Sequence, residues 1–205
     1  MANVLVVGAN QGIGYYLVER LLELGNTVTV LDIQIHAIEI LKEKYQKALQ
    51  PVIADARSLS DIESGVLQAI RNFGDIDIAI QNACLCTFES EHGTDFEIYQ
   101  KVMDVNYFGA LRLAKTVLPH MRRVKKGRII FTSSGVGVTG FANISPYASS
   151  SLPNPFPLSS SETKSISRCR PAKPLRLLRA VVTGKRLDPV NPQSANVFQH
   201  ILFPF

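Results

Sequence analysis

Tryptophan is absent from this chain, and cysteine occurs only three times, at Cys84, Cys86 and Cys169. So few thiols, irregularly spaced, build neither a disulfide framework nor a zinc site, so free thiols in a reducing compartment are expected. His36, His92, His120 and His200 share no ligand spacing either, and no metal is predicted. Long apolar runs are also missing. The first one, residues 4–7, stops at a glycine and is too short for the core of a signal peptide. Nothing approaches the ~20 apolar residues that span a bilayer. These absences disfavour a membrane partner and lead us to expect a cytoplasmic location.

Glycine is scarce in one part of the chain. Residues 151–205 hold one of the thirteen glycines but eight of the eleven prolines, and eight Lys/Arg against only Glu162 and Asp188. The net charge of +5 therefore belongs to this tail, and residues 1–150 are close to neutral. A basic pI of that origin gives no reason to expect a nucleic-acid partner for the rest. Pro153, Pro155 and Pro157 each remove a helical donor and clash with the preceding turn. With no sustained periodicity after them, the tail is expected to be poorly ordered. Two segments result: a folded domain over 1–150 and an aberrant Pro/Ser/basic-rich tail over 151–205.

Within 1–150, short β-branched runs alternate with amphipathic helical patterns. Strands are predicted over 4–7, 27–31, 52–54, 76–80 and 128–132, and helices over 15–24, 35–45, 61–73 and 96–122. Ser60 is placed to cap the 61–73 helix with Glu63 as its reciprocal partner. The long 96–122 helix is expected to bend near Asn106 or Pro119. Alternation of this kind predicts an α/β fold, a parallel sheet with helices on both faces.

The first strand runs into Gly8-Ala9-Asn10-Gln11-Gly12-Ile13-Gly14 and then a helix. Glycines in that setting permit a tight turn and a close approach of backbone N–H groups to a pyrophosphate at the positive helix end. Asp32 follows at the end of the second strand, where a carboxylate accepts the hydroxyls of an adenosine ribose and repels a 2′-phosphate. No Arg or Lys lies in the loop or beside Asp32. NAD is therefore expected over NADP.

With these residues the chain resembles the short-chain dehydrogenase/reductase family over about residues 3–150. The glycine loop matches the family's Thr-Gly-x-x-x-Gly-x-Gly with Val7 in place of the threonine. Asp55 matches the acidic residue beside the adenine. Gln81-Asn82-Ala83-Cys84 matches the Asn-Asn-Ala-Gly segment with its first and last residues changed. Asn106, Ser134 and Tyr147 match three members of the catalytic tetrad. The resemblance implies a Rossmann-type doubly wound parallel sheet, with the C-terminal part incomplete or disordered. It implies an NAD(P)-dependent oxidoreductase acting on a small-molecule carbonyl or secondary alcohol. Tyr147 would exchange the proton, Ser134 would hydrogen-bond the substrate oxygen, and Asn106 would hold a backbone carbonyl and a water. Gly8, Asn10, Gln11, Gly12, Ile13, Gly14, Asp32, Asp55, Asn82 and Ala83 would hold the cofactor. The family's homo-oligomer forms through the long helix and the one after the tyrosine, so that interface is expected to be compromised here.

The fourth member of the tetrad is missing. The family places a lysine one helical turn after the tyrosine, and this chain has Ser151. A tyrosine titrates near pH 10 in water, and a neighbouring cation typically lowers such a group by roughly 1–3 units. Unless a tail lysine such as Lys164 reaches the site, activity is expected to be impaired. The alternatives are a non-catalytic NAD-binding regulatory protein and an inactive truncated or frameshifted product. The last has a specific form. If Ser150 is encoded with a final A and Ser151-Leu152-Pro153 as AGT-TTG-CCN, stepping the frame back one base reads AAG-TTT-GCC. That is Lys-Phe-Ala, which would restore the family's active-site helix.

Overall fold

A computed structural model describes residues 1–88, 93–136 and 142–151, together with the backbone of 176–182. Its frame is a parallel sheet. β1 (Asn3–Val7) carries the apolar run Val4-Leu5-Val6-Val7 and is buried along its whole length, as a central strand covered on both faces must be. β2 (Thr27–Asp32) and β4 (Ile78–Gln81) flank it. β3 (Leu49–Ile53) lies outside β2, and β5 (Arg128–Ser134) lies outside β4. A further strand, β6 (Arg176–Val182), pairs in parallel with β5, giving the order β3-β2-β1-β4-β5-β6. The order reverses between β1 and β4, so the loops leaving those two strands diverge and open a crevice at their C-terminal ends.

The strand period of two divides the core. Leu5 and Val7 of β1 pack with Leu31, Ile62, Val66, Leu113 and Val117 beneath α3 (Leu59–Phe73) and α5 (Gly109–Val124). Val4 and Val6 face the other way, onto Val18, Leu21, Val28 and Ile38 under α1 (Gly12–Glu23) and α2 (His36–Tyr45). Helices thus cover both faces, as the sequence pattern predicts.

Several boundaries differ from the sequence reading. β3 begins at Leu49 and includes Pro51, which its place at the sheet edge tolerates because one side of an edge strand needs no ladder donor. The cap of α3 is Ser58 rather than Ser60. Its Oγ accepts from the Asp61 backbone N–H at 3.3 Å and donates to Asp61 Oδ1 at 2.8 Å, so Asp61 takes the reciprocal place assigned to Glu63. Asp61 Oδ2 also accepts the N–H of Asp55 at 3.0 Å, which fixes the loop after β3.

The predicted 96–122 helix is α4 (Phe96–Met103), a π turn (Asp104–Phe108) and α5 in continuous succession. The deviation falls at Asn106 and not at Pro119, which lies within α5 on an exposed face where water can serve the carbonyl deprived of its donor. Arg112 braces the π turn: Nη2 donates to Asp104 Oδ1 at 2.6 Å and Nη1 to the Asp104 carbonyl at 3.1 Å. α6 (Ser145–Ser150) starts with Pro146 in its first turn, where the missing N–H costs nothing.

Among the described residues, β6 is an element found in the stretch read as lacking periodicity. Its RLLRAVV sequence is a short apolar run flanked by prolines and charge, which conceal it among the composition of the tail. The expectation of a poorly ordered tail otherwise concerns residues outside the described set, as do Lys164 and Cys169. Among the described residues no helix is long and apolar enough to cross a membrane.

Candidate functional site

The crevice at the C-terminal ends of β1 and β4 is a cleft of about 890 Å³, within the ~300–1,000 Å³ range of small-molecule sites. Its floor is made by two loops that touch. Gly8 has φ +81, and a Cβ there would stand 2.3 Å from the Cα and N of Ala83. The contact is held from both sides. Asn82 Nδ2 donates to the Gly8 carbonyl at 2.6 Å, and the N–H groups of Asn82 and Ala83 both donate to the Val7 carbonyl at 2.8 Å. Gly14 is not in the cleft wall. It lies underneath, where a Cβ would meet the Gly8 carbonyl oxygen at 2.3 Å, so its absence of a side chain lets α1 approach the loop.

Asn10, Gln11, Gly12 and Ile13 line the cleft beside Gly8. Gln11, the N-cap of α1, makes no capping hydrogen bond through its side chain, and no acidic residue occupies the first turn. The N–H groups of that turn therefore face the cleft with the positive end of the helix dipole behind them, a donor set suited to a diphosphate. Asp32 lines the same wall. Asp55 does too, with Arg57 gripping its carboxylate through Nε at 3.0 Å and Nη2 at 2.6 Å. Hydrogen bonds from the Arg57 side chain, opposed by partial burial and aided by the Arg57 N–H, hold the Asp55 carboxyl below the usual carboxylate range. Arg57 and Lys101, both on the cleft wall, are cations that motif spacing had not marked.

At the other end of the cleft, β5 delivers Ser134 and α6 delivers Tyr147. Burial raises the Tyr147 phenol above its ordinary pKa of 10.0, and the nearby Cys84 thiol adds to the effect. Hydrogen bonding with the Ser134 and Ser151 hydroxyls opposes the rise without cancelling it. Cys84 is open to the cleft, yet enough protein surrounds its sulfur to raise that thiol as well. The sequence leads one to expect Cys84 as a free thiol, and the structure sets it on the wall of the same cleft as the phenol.

Asn106 projects from the π turn into this end. Its Oδ1 accepts the Leu85 N–H at 2.7 Å, and its Nδ2 donates to the Leu85 carbonyl at 3.0 Å and to Ser150 Oγ at 2.7 Å. Ser150 Oγ in turn donates to the Tyr147 carbonyl at 2.8 Å. One amide thus ties the loop after β4 to the helix that carries Tyr147. Ser151 stands one turn after Tyr147, only 9% exposed, with its Oγ donating back to the Tyr147 carbonyl at 2.8 Å. The structure therefore brings together Asn106, Ser134 and Tyr147 with the loop residues, Asp32, Asp55, Asn82 and Ala83. Among the described residues no group of three His, Cys, Asp or Glu could hold a metal ion.

Known proteins resemble this chain in sequence and in fold. Human dehydrogenase/reductase SDR family member 7 is 29% identical over 142 residues, covering 66% of this chain and 42% of that protein. The 2-(R)-hydroxypropyl-CoM dehydrogenase of Xanthobacter autotrophicus is 30% identical over 154 residues, covering 71% of this chain and 61% of its own length. The chain thus spans less than two thirds of either relative. A crystal structure of NAD+-bound xylitol dehydrogenase superposes with a TM-score of 0.68 at 28% identity, covering 72% of this chain and 58% of that one. Residues 2–151 match the family described as short chain dehydrogenase, a span that contains every motif of the cleft, and the chain belongs to that family.

Proposed function

We propose that the cleft binds NAD and serves an oxidoreductase reaction on a small carbonyl or secondary alcohol, with turnover weakened in this chain by the serine at position 151. The observation that carries the reading is that Asn106, Ser134 and Tyr147 line one cleft with the glycine loop and Asp32. A bound nicotinamide would supply hydride transfer, and the residues present fit the cofactor at the diphosphate and adenosine ends. The first turn of α1 would take the diphosphate, Asp32 the ribose, and Asp55 with Asn82 and Ala83 the adenine side. Asp32 would also repel a 2′-phosphate, which supports NAD over NADP.

Tyr147 would donate a proton to the substrate oxygen in reduction or accept one in oxidation, and Ser134 would hold that oxygen. A raised phenol pKa favours the proton-donating form. In oxidation the same phenol must be ionised, and burial opposes this. The family's lysine would relieve that opposition, but Ser151 carries no charge and its hydroxyl is turned to the Tyr147 carbonyl. That observation also favours a second reading, in which the chain binds NAD without turnover and acts as a regulatory subunit.

We infer that residues 1–150 are the unit responsible and that the tail over 151–205 is a frameshifted or otherwise aberrant reading, a one-base change of frame being its specific form. The family match ends at residue 151, which supports a break at that junction. The coding sequence tests this reading, which fails if no one-base shift yields lysine at 151. Phe96 and Phe108 are 74% and 45% exposed along α4 and the π turn, apolar surface that a family-type assembly through this face would cover. Turnover tests the main proposal. NADH formation with a panel of secondary alcohols should be slow in the native chain, absent in Tyr147→Phe and faster in Ser151→Lys. Equal rates in the native chain and Tyr147→Phe would refute the catalytic role.

A further inference from the structure

The carboxylate of Asp32 accepts three backbone N–H groups. Oδ2 takes those of Ala9 at 2.8 Å and Asn10 at 2.9 Å, and Oδ1 takes that of Gln34 at 3.1 Å. Ala9 is 0% exposed and Asn10 5%, so little water can reach the two loop amides if the carboxylate is withdrawn. Two neighbouring acceptors are already engaged. The carbonyl of Leu31 is engaged by Gly8 N–H at 2.8 Å, and Asn10 Oδ1 is engaged by Ala37 N–H at 3.0 Å. Both amides lie in the bend between Gly8 and α1, so their orientation sets how the first turn of that helix is presented to the cleft.

We propose that Asp32 is the positioning residue of the glycine loop as well as its ribose acceptor, one carboxylate shaping the diphosphate site and selecting the sugar. Its ligand half rests on the nucleotide-binding reading above, and its structural half rests on the loop hydrogen bonds alone. The two roles separate by substitution. Asp32→Asn keeps a side-chain carbonyl oxygen able to accept both loop amides but gives up the charge. Asp32→Ala gives up both, leaving two buried donors unpaired.

The full chain and both variants are titrated with ADP and with 2′,3′-dideoxy-ADP, which has no hydroxyl for Asp32 to hold. Amide exchange is followed at Ala9 and Asn10, with Val6 in β1 as reference. Asp32→Ala is expected to speed exchange at both loop amides by about tenfold or more and to weaken dideoxy-ADP by a similar factor. Asp32→Asn is expected to stay within about threefold of the native chain in both respects while losing affinity for ADP. Should Asp32→Ala fail to fold, Asp32→Val, which fills similar space, suits a strand and accepts no hydrogen bond, replaces it under the same expectations. Unchanged exchange and unchanged dideoxy-ADP binding in the alanine variant overturn the proposal. If the native chain binds neither nucleotide while the amide response appears as expected, the loop role stands and the nucleotide reading falls. If only ADP binding is lost and the amides do not respond, the nucleotide reading stands and the loop role falls.

Discussion

The hydroxyl of Ser151 donates to the backbone carbonyl of Tyr147, one helical turn earlier, at 2.8 Å. A side chain that turns back on its own helix offers nothing to the phenol in the way of charge. Since burial raises the Tyr147 phenol above its ordinary value, the ionised form needed for alcohol oxidation is disfavoured at neutral pH. The rate of NADH formation should therefore climb through pH 9 to 10 without levelling. Ser151→Lys should move that limb down by roughly 1–3 units. A pH–rate profile of the two proteins checks both statements, and a native-chain plateau near neutrality contradicts them.

Gly8→Ala places a methyl group 2.3 Å from the Ala83 backbone at φ +81. Strain in the left-handed region and overpacking together should cost about 2–5 kcal/mol. Thermal unfolding should show a large drop, with nucleotide binding lost in parallel.

Asn106→Ala removes three hydrogen bonds, to both backbone groups of Leu85 and to Ser150. Leaving the Leu85 N–H unpaired should cost about 1–3 kcal/mol. Because the same side chain ties the loop after β4 to α6, amide exchange at Leu85 and along Ser145–Ser150 should quicken together. Faster exchange at Leu85 alone would show that the link to α6 carries no weight.

Asp55 is held below the ordinary carboxylate value of 3.8 chiefly by hydrogen bonds from Arg57. A depressed folded pKa means that the unfolded chain takes up its proton first as pH falls. The stabilisation is thus complete above the ordinary carboxylate range and lost on the acid side as pH drops toward the folded value. Arg57→Ala should remove this part of the acid dependence in urea titrations between pH 5 and pH 3. The effect should be small, since water reaches both members of the pair.

The sheet, its covering helices and the cleft residues were legible because their signals are local. A glycine loop between a strand and a helix, an aspartate ending β2, and a serine and tyrosine after β5 each sit at a fixed place in an alternating pattern. The details that depend on contacts across the fold were not. Ser58 and Ser60 are equally good caps in sequence, and only the approach of Asp61 to both Ser58 and the Asp55 N–H chooses between them. The π turn at Asn106 follows from its hydrogen bonds to Leu85 and Ser150 and from the Arg112 brace, none of which has a helical period. Asp32 was read as a ribose acceptor, and its grip on Ala9 and Asn10 could not be inferred from spacing. β6 was hidden because prolines and basic residues surround a short apolar run.

The most direct test of the central claim is a calorimetric titration of NADH into the purified chain alongside Ser151→Lys. The account predicts saturable binding by both proteins, tighter in the lysine variant, because the glycine loop, Asp32 and the first turn of α1 are in place without residue 151. Absence of binding in both, with cooperative unfolding intact, would contradict it and show that the cleft is not a nicotinamide-nucleotide site in this chain.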